Sequence, residues 1–224
     1  MAVTVTYLGH SGVLLSDGEH TLAIDPFISG NPVAVHRVEQ IACDFIALTH
    51  GHEDHFGDTL ALAKQNDATV IAAFEICNYV EEQGHAKVES GNPGGRVYTP
   101  FGYVAFTPAF HSSSYKGRYM GQPCGLVVEI GGMKLYHAGD TALFSDMKLI
   151  GEVARPRVAF LPVGDRYTMG PKLATMAAEF VGAPYAVPVH YKTWPLLVSD
   201  IGEFRPEGVT VKEMKPGEVW RVPE

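Results

Sequence analysis

The sequence predicts an α+β protein in which two mixed β-sheets pack face to face under helices. Short apolar strand segments cluster in each half of the chain, and helical segments are interspersed among them. No change of composition marks a linker, and 224 residues suffice for one domain with a sizeable core. We therefore expect one domain over residues 1–224.

The first half begins with strands and then alternates strands with helices. Asp17-Gly18 predicts a hairpin turn, and Asp58 is a candidate N-cap for the first helix. Alternating or continuous apolar residues predict strands at 3–8, 12–15, 21–24, 44–48, 69–72 and 97–107. The predicted helices are 59–65 and 74–83, and residues 90–95 are predicted to form a loop.

The second half repeats this mixture after an irregular segment, 111–123, that is rich in Ser, Gly and Tyr. Pro171 begins a predicted helix, at a position where its missing N–H costs nothing. The predicted strands are 126–130 and 134–137 around a Gly131-Gly132 turn, then 158–162, 185–189, 209–214 and 219–222. The predicted helices are 144–153 and 171–181.

Composition indicates an ordinary globular enzyme, with 46% apolar and 19% charged residues. The net charge of −8 disfavours a broad nucleic-acid surface, so we expect a small-molecule substrate. The N-terminus lacks signal-peptide features, and no apolar run is long enough for a membrane span. Three scattered cysteines without a C-x-x-C pair indicate neither disulfides nor a thiolate zinc site. We expect a cytoplasmic protein without membrane association.

The densest group of metal-binding side chains lies in residues 49–55, Thr-His-Gly-His-Glu-Asp-His, directly after an apolar strand segment. His50, His52, Asp54 and His55 offer the imidazole and carboxylate ligands that divalent metals prefer. His50 and His52 can point at the same ion, whereas the adjacent Asp54 and His55 diverge from that pair. This geometry suggests two ions, which in two-metal sites lie roughly 3.5–4 Å apart.

Four neighbouring residues cannot surround an ion from one side, so other segments must contribute ligands. His111, Asp140 and His190 share one context, because each follows an apolar strand segment. Taken alone, each is weak evidence, because a histidine at the end of a strand is more often a structural residue and Gly-Asp-Thr is often only a turn. Together with residues 49–55, and in this order, they resemble the metallo-β-lactamase superfamily over essentially the whole chain.

Further motifs resemble one branch of that superfamily, the small bacterial metal-dependent hydrolases related to ascorbate-6-phosphate lactonase. These motifs are Leu8-Gly9-His10-Ser11-Gly12 and residues 25–32, 137–141 and 162–170. The resemblance implies a four-layer αββα sandwich with two metal ions at one edge between the sheets. It implies one ion held by His50, His52 and His111, a second held by Asp54, His55 and His190, and Asp140 as a bridge.

This ligand set predicts a metal-dependent hydrolase in which metal-bound hydroxide attacks a small ester, lactone or phosphodiester. Asp54 is the predicted catalytic residue, because it can bind metal and orient the hydroxide through its second oxygen. Zinc is the first expectation for the ions; manganese, iron and nickel accept the same ligands. Many true β-lactamases use a cysteine at the second metal, whereas here the ligands are all nitrogen or oxygen.

Other residues are predicted to support the site. Metal-bound imidazoles usually donate their other N–H to a neighbouring group, and we expect such support from Asp25, Thr49 and Thr141. His10 and His137 lie near the implied site and are expected to be structural histidines. Arg118, Arg166 and Tyr167 are candidates for substrate contact, although each is also compatible with a solvated surface residue.

Three other functions remain compatible with the sequence. A nuclease-like phosphodiesterase is disfavoured by the acidic charge and the compact length. A redox member would usually carry a separate flavin domain, and a metal-dependent binding or regulatory module without turnover is disfavoured by the complete ligand set. A homo-oligomer is compatible with the sequence, which does not identify the substrate or the native metal.

Overall fold

The computed structural model describes residues 2–224, which form sixteen strands and five α-helices with one 3₁₀ turn at Val38–Gln40. Hydrophobic alternation and Gly- or Pro-containing turns divide the chain into these elements. In chain order they are β1 (Thr4–Gly9), β2 (Gly12–Ser16), β3 (Thr21–Ile24), β4 (Phe45–Ala47), α1 (Glu53–Phe56), α2 (Thr59–Asn66), β5 (Thr69–Ala73), α3 (Phe74–Glu82), β6 (Val88–Gly91), β7 (Arg96–Thr99), β8 (Gly102–Pro108), β9 (Ser114–Tyr115), β10 (Arg118–Tyr119), β11 (Cys124–Ile130), β12 (Met133–His137), α4 (Met147–Ala154), β13 (Val158–Pro162), α5 (Pro171–Val181), β14 (Tyr185–Val189), β15 (Thr210–Val211) and β16 (Val219–Arg221).

Two seven-stranded mixed sheets contain most of these strands, in the orders β16-β1-β2-β3-β4-β5-β6 and β15-β14-β13-β12-β11-β8-β7. The first sheet is antiparallel from β16 to β3 and parallel from β3 to β6. The second is antiparallel from β7 to β12 and parallel from β12 to β15. Strands β9 and β10 pair with each other as a separate hairpin.

The core lies in three apolar layers that follow the alternation of side chains along the strands. Leu22 and Ile24 of β3 face the second sheet and share one cluster with Val128 and Phe160. Ala23, between them, faces the opposite way and packs in a cluster with α2 and α3. A third cluster joins the outer face of the second sheet to α4 and α5. The predicted αββα sandwich is therefore confirmed.

The prediction of one domain over residues 1–224 is consistent with the core that the two sheets share, although residue 1 lies outside the described residues. None of the helices in residues 2–224 has the length and apolar character that a membrane crossing requires.

Several local predictions were wrong. The predicted strand region 97–107 is divided into the hairpin of β7 and β8, because Pro100 lacks an N–H and begins a turn. The predicted loop at 90–95 begins inside β6, which pairs with β5. The segment 111–123 contains the β9–β10 hairpin, and the second half of the 49–55 motif forms the short helix α1.

Asp58 occupies the predicted N-cap position of α2, but its side chain does not cap the helix. Its Oδ2 instead accepts hydrogen bonds from the backbone N–H groups of Ile28 at 2.9 Å and Ser29 at 2.7 Å. The carboxylate thereby fixes the loop that follows β3.

The edge formed by the carboxyl ends of the parallel strands carries the predicted ligands. Asp25 follows β3, His50 follows β4, and these strands are parallel neighbours. Asp140 follows β12 and His190 follows β14, which lie in the parallel part of the second sheet. Both sheets therefore contribute side chains to one place.

Candidate metal centre

The structure brings all seven predicted ligands together: six of them form two groups, each with donor atoms that lie within 4.8 Å of one another, and Asp140 forms a third such group with His50 and His55. The first group contains His50, His52 and His111. The second contains Asp54, His55 and His190, together with His10. Each group has the imidazole or carboxylate donors that could hold a divalent ion.

Asp140 lies between the two groups. Its Oδ1 is 3.3 Å from Nε2 of His55, and its Oδ2 is 3.1 Å from Nε2 of His190. The same Oδ2 is 3.5 Å from Nε2 of His111, which belongs to the first group. One buried carboxylate thus contacts both groups, as a bridging ligand must.

Asp25 and Thr49 determine which ring nitrogens of two histidines face the centre. Thr49 Oγ1 donates to Asp25 Oδ2 at 2.6 Å, so it accepts from Nδ1 of His50 at 3.0 Å. Asp25 Oδ2 also accepts from Nδ1 of His55 at 2.7 Å. When each ring is neutral, as metal binding requires, its free lone pair is therefore on Nε2, directed at the cluster.

Three residues of this edge have left-handed backbone conformations, with φ of 46° at Asp25, 57° at His10 and 58° at His190. Residues other than glycine rarely adopt this region, although Asp and His do so more often than most. Such strain costs about 1–3 kcal/mol per residue and concentrates at functional sites. The conformations here place three side chains on one cluster.

The electrostatic environment keeps the first group neutral. Burial lowers the pKa of His50 well below its ordinary value, and the charge of His55 acts in the same direction. Burial likewise lowers the pKa of His52 and of His111. Neutral imidazole is the form that binds a metal.

The second group contains carboxylates that require nearby positive charge. Burial by itself would raise the pKa of Asp54 and of Asp140. The charge of His55 and the hydrogen bonds from His10 and His190 bring the pKa of Asp54 below its ordinary value, and the charges of His190 and His55 do the same for Asp140. Conversely, burial would lower the pKa of His190, and Asp140 raises it to about 9. Protonated imidazoles or divalent cations can supply the charge that these carboxylates need.

Unpartnered polar atoms at the centre fit a cation. Within residues 2–224, Nε2 of His55 and Oδ1 of Asp140 are buried without hydrogen-bond partners, although they lie only 3.3 Å apart. Buried polar atoms in proteins are nearly always satisfied, so such a pair calls for another binding partner. His190 has a further unpartnered atom: its Nδ1, the ring nitrogen that does not face Asp140, is also buried without a hydrogen-bond partner.

His10 was expected to be a structural histidine, but it contacts the predicted ligand Asp54 directly. Its Nε2 is 3.0 Å from Oδ2 of Asp54, and its Nδ1 is 2.8 Å from Oγ1 of Thr193. Burial and the charge of His190 lower the pKa of His10 to about 4 despite the Asp54 hydrogen bond, so the ring carries one proton. Asp54 can only accept, which places that proton on Nε2. Nδ1 accepts from Thr193, and His10 therefore acts as a donor to Asp54.

The side chains of His137 and Thr141 form hydrogen bonds with backbone groups and not with the imidazoles of the metal centre. Nε2 of His137 donates to the carbonyl of Ser11 at 2.9 Å, and its Nδ1 accepts from the N–H of Gly139 at 3.1 Å. Thr141 Oγ1 accepts from the N–H of Phe110 at 3.0 Å, next to His111. Thr141 was predicted to support an imidazole directly; instead it fixes the loop that carries one.

The predicted substrate contacts are not part of the cluster. Arg118 is engaged elsewhere, because its guanidinium forms two hydrogen bonds with the carboxylate of Glu82 on α3. Its role in substrate contact stays a prediction. Arg166 and Tyr167 are exposed in the loop after β13. In the described part of the chain neither side chain forms an ion pair or a hydrogen bond, and their role stays a prediction.

The cysteines do not contribute to the centre. Cys43, Cys77 and Cys124 are buried and free, and burial raises the pKa of each thiol. Cys124 donates to the carbonyl of Thr49 at 3.2 Å. The donor set of the centre therefore consists of nitrogen and oxygen.

Two facing mixed sheets with a histidine and aspartate cluster at one edge define a class of protein, the metallo-β-lactamase fold. The family model described as Beta-lactamase superfamily domain matches residues 20–191. A UPF0173 metal-dependent hydrolase of Thermus thermophilus is 48% identical over 225 residues, with 98% of this chain and 99% of the relative covered.

Solved structures agree with this match. Igni18, a metallo hydrolase from Ignicoccus hospitalis, has a TM-score of 0.90 and 35% identity, with 98% of each chain covered. YhfI of Bacillus subtilis, at 16% identity, shares the fold with a TM-score of 0.76 over 98% of this chain and 99% of that chain. The chain belongs to the metallo-β-lactamase superfamily, as a metal-dependent hydrolase.

Proposed function

We propose that the protein hydrolyses a small ester, lactone or phosphodiester at a centre of two divalent metal ions. The observation that supports this most strongly is the position of Asp140, whose Oδ1 lies 3.3 Å from His55 and whose Oδ2 lies 3.1 Å from His190 and 3.5 Å from His111. A single ion would not need two separate histidine groups joined by one carboxylate.

In this proposal each group holds one ion and Asp140 holds both. Zinc is the first candidate, followed by manganese, iron and nickel, because all accept histidine and carboxylate ligands. When bound, such ions lower the pKa of a water molecule from 15.7 to about 7 and so supply hydroxide at neutral pH. The first ion would be held by His50, His52 and His111, and the second by Asp54, His55 and His190.

Asp54 is proposed to orient the attacking water. Its Oδ2 accepts from His10 at 3.0 Å and lies 3.6 Å from Nε2 of His190. Among residues 2–224 no hydrogen bond or ion pair involves Oδ1, and the side chain is 24% exposed beside an open cleft. Because the pKa of Asp54 is well below its ordinary value, Oδ1 accepts a hydrogen bond from the water and remains ionised.

Elemental analysis combined with a hydrolysis screen tests this proposal. We expect two metal ions per chain and turnover of one class among lactones, esters, thioesters and phosphodiesters. Asp54→Asn should lower kcat by about 100-fold or more, and His52→Ala should lower both the metal content and the activity.

Asp67→Asn is a matched control for Asp54→Asn. Asp67 is an exposed residue that precedes β5, at the opposite edge of the sheet, and asparagine tolerates its left-handed backbone. Its activity should equal that of the unsubstituted protein. One metal ion per chain, or full activity after metal removal, would contradict the proposal.

A further inference from the structure

An open cleft of about 600 Å³ is lined by Asp54 and by three aromatic side chains. We call it the aromatic cleft and define it by Phe27, Tyr115 and Trp194, together with Asp54, which also belongs to the metal centre. The three aromatic residues come from three segments that are far apart in sequence: the loop after β3, strand β9 and the loop after β14. None of them belongs to the proposed ligand set.

The walls of the aromatic cleft are held in place before any ligand arrives. Tyr115 packs against Phe56, with ring centroids 4.5 Å apart. Trp194 lies 4.8 Å from the ring of His10 and 6.0 Å from that of Phe27. A preformed pocket loses little conformational entropy on binding, which favours affinity.

The charged residues that line the aromatic cleft are all acidic. Glu53, Asp54 and Asp58 are part of its lining, whereas no lysine or arginine is. The ammonium group of Lys116 lies 5.0 Å from the ring centroid of Tyr115, but that residue is exposed and outside the lining. Glu53 and Asp58, which lie outside the proposed ligand set, repel an anionic group, while aromatic faces attract cations as well as flat apolar groups.

We infer, on the basis of the proposed hydrolase function, that the aromatic cleft binds the non-reacting part of the substrate. That part is an aromatic or similarly flat apolar group, and it is neutral or positively charged. The scissile bond then lies at Asp54 and the metal centre, because Asp54 lines the aromatic cleft and belongs to the proposed ligand set.

A phosphorylated group does not fit this place. Phosphate binding in proteins commonly uses the bidentate fork of arginine or a lysine ammonium. Arg118 is occupied by Glu82, and Arg166 is outside the lining of the aromatic cleft. The inference therefore separates this chain's substrate from sugar phosphates, even where the bond that is cleaved is the same.

A matched substrate series on the metal-loaded protein tests the inference. The bond is the one that the hydrolysis screen identifies, and the attached group is methyl, benzyl, 4-(aminomethyl)benzyl or 4-(phosphonooxy)benzyl. We expect kcat/KM about tenfold or more above the methyl value for benzyl and 4-(aminomethyl)benzyl, and a value below that of benzyl for the phosphorylated group.

Variants of one wall residue assign the preference to the aromatic cleft. Trp194→Ala should reduce the ratio of benzyl to methyl kcat/KM severalfold, whereas Trp194→Phe, which keeps a ring, should retain most of it. Equal turnover of methyl and benzyl substrates, or preference for the phosphorylated group, would overturn the inference while leaving the hydrolase proposal intact.

If no tested bond is cleaved, that result counts against the hydrolase proposal but does not test the aromatic cleft. A binding measurement then decides the inference about the cleft. The chain has two tryptophans, so Trp220→Phe leaves Trp194 as the only tryptophan reporter. We expect benzyl alcohol and benzylammonium to change its fluorescence on binding, and benzenesulfonate, a weak metal ligand, to bind about tenfold more weakly. Benzenesulfonate binding as well as benzyl alcohol would overturn the inference.

Discussion

His10 shows how one hydrogen bond can separate catalysis from metal binding. It donates to Oδ2 of Asp54, while its lone pair accepts from Thr193 and is not available to an ion. We expect His10→Ala to lower kcat by about 10–100-fold with the metal content unchanged, because Asp54 loses its orientation. His10→Gln, which keeps an N–H donor, should recover part of the rate. Kinetics with elemental analysis measure both quantities, and loss of an ion would show that His10 is a ligand.

Asp25, in contrast to His10, is expected to affect metal binding rather than the rate, because it contacts the metal ligands. Its carboxylate accepts from His55 and from Thr49, which in turn orients His50. We expect Asp25→Ala to weaken metal affinity by about 10–100-fold, the usual effect of removing such a partner. Competition with a fluorescent chelator measures the affinity. Activity should return at high metal concentration, and a rate that stays low at saturation would contradict this role.

At the residue scale the sequence predicts ligand positions better than their supporting contacts. The seven predicted ligands meet because their types and their places after strands are local properties. The contact of His10 with Thr193 spans 183 positions, and its left-handed backbone has no sequence signature. The ion pair of Arg118 with Glu82, which lies on a different element, likewise has no sequence signature.

At the scale of elements, α1 and the loop after β3 meet at Gly57. A Cβ there would lie 2.5 Å from the carbonyl oxygen of Pro26 and 2.7 Å from Cα of Phe27, and φ is 43°. We expect Gly57→Ala to move this loop, to lower Tm and to reduce activity, because Phe27 lines the aromatic cleft and Asp25 begins the same loop. Thermal unfolding and kcat/KM measure the two effects.

Gly182→Ala is the matched control, since Gly182 also has a positive φ, 63°, but a Cβ there meets nothing closer than 3.9 Å. It should cost only the left-handed strain of about 1–2 kcal/mol, or roughly 2–8 °C, with normal activity. An equal Tm loss for the two variants would show that the contact at Gly57 is unimportant.

The larger elements were predictable because their apolar periodicity and turn residues agree. The helix that begins at Pro171 and the strand Val158–Pro162 have the predicted bounds. Helix α1 has only four residues and the β9–β10 hairpin has two per strand. Segments this short have too few residues for a periodic signal, and tertiary contacts determine their form.

At the scale of the molecule, the proposed ions would join the two sheets. His50 and His55 belong to the connection after β4 of the first sheet, whereas His111, Asp140 and His190 follow strands of the second. An ion that binds only this arrangement stabilises the folded state by about 2.7 kcal/mol at 100 times its Kd. For a chain of this size 1 kcal/mol corresponds to roughly 2–4 °C, so we expect chelation to lower Tm by about 5–11 °C.

Calorimetry before and after chelation, and again after zinc is restored, measures this shift. The Asp140→Ala variant lacks the carboxylate that contacts both groups, so its Tm should respond much less to chelation. Asp67→Asn should respond like the unsubstituted chain, because Asp67 lies at the other edge of the sheet. An unchanged Tm after verified metal removal would mean that the sheets are held by their shared apolar core alone, and that the centre serves chemistry without contributing to stability.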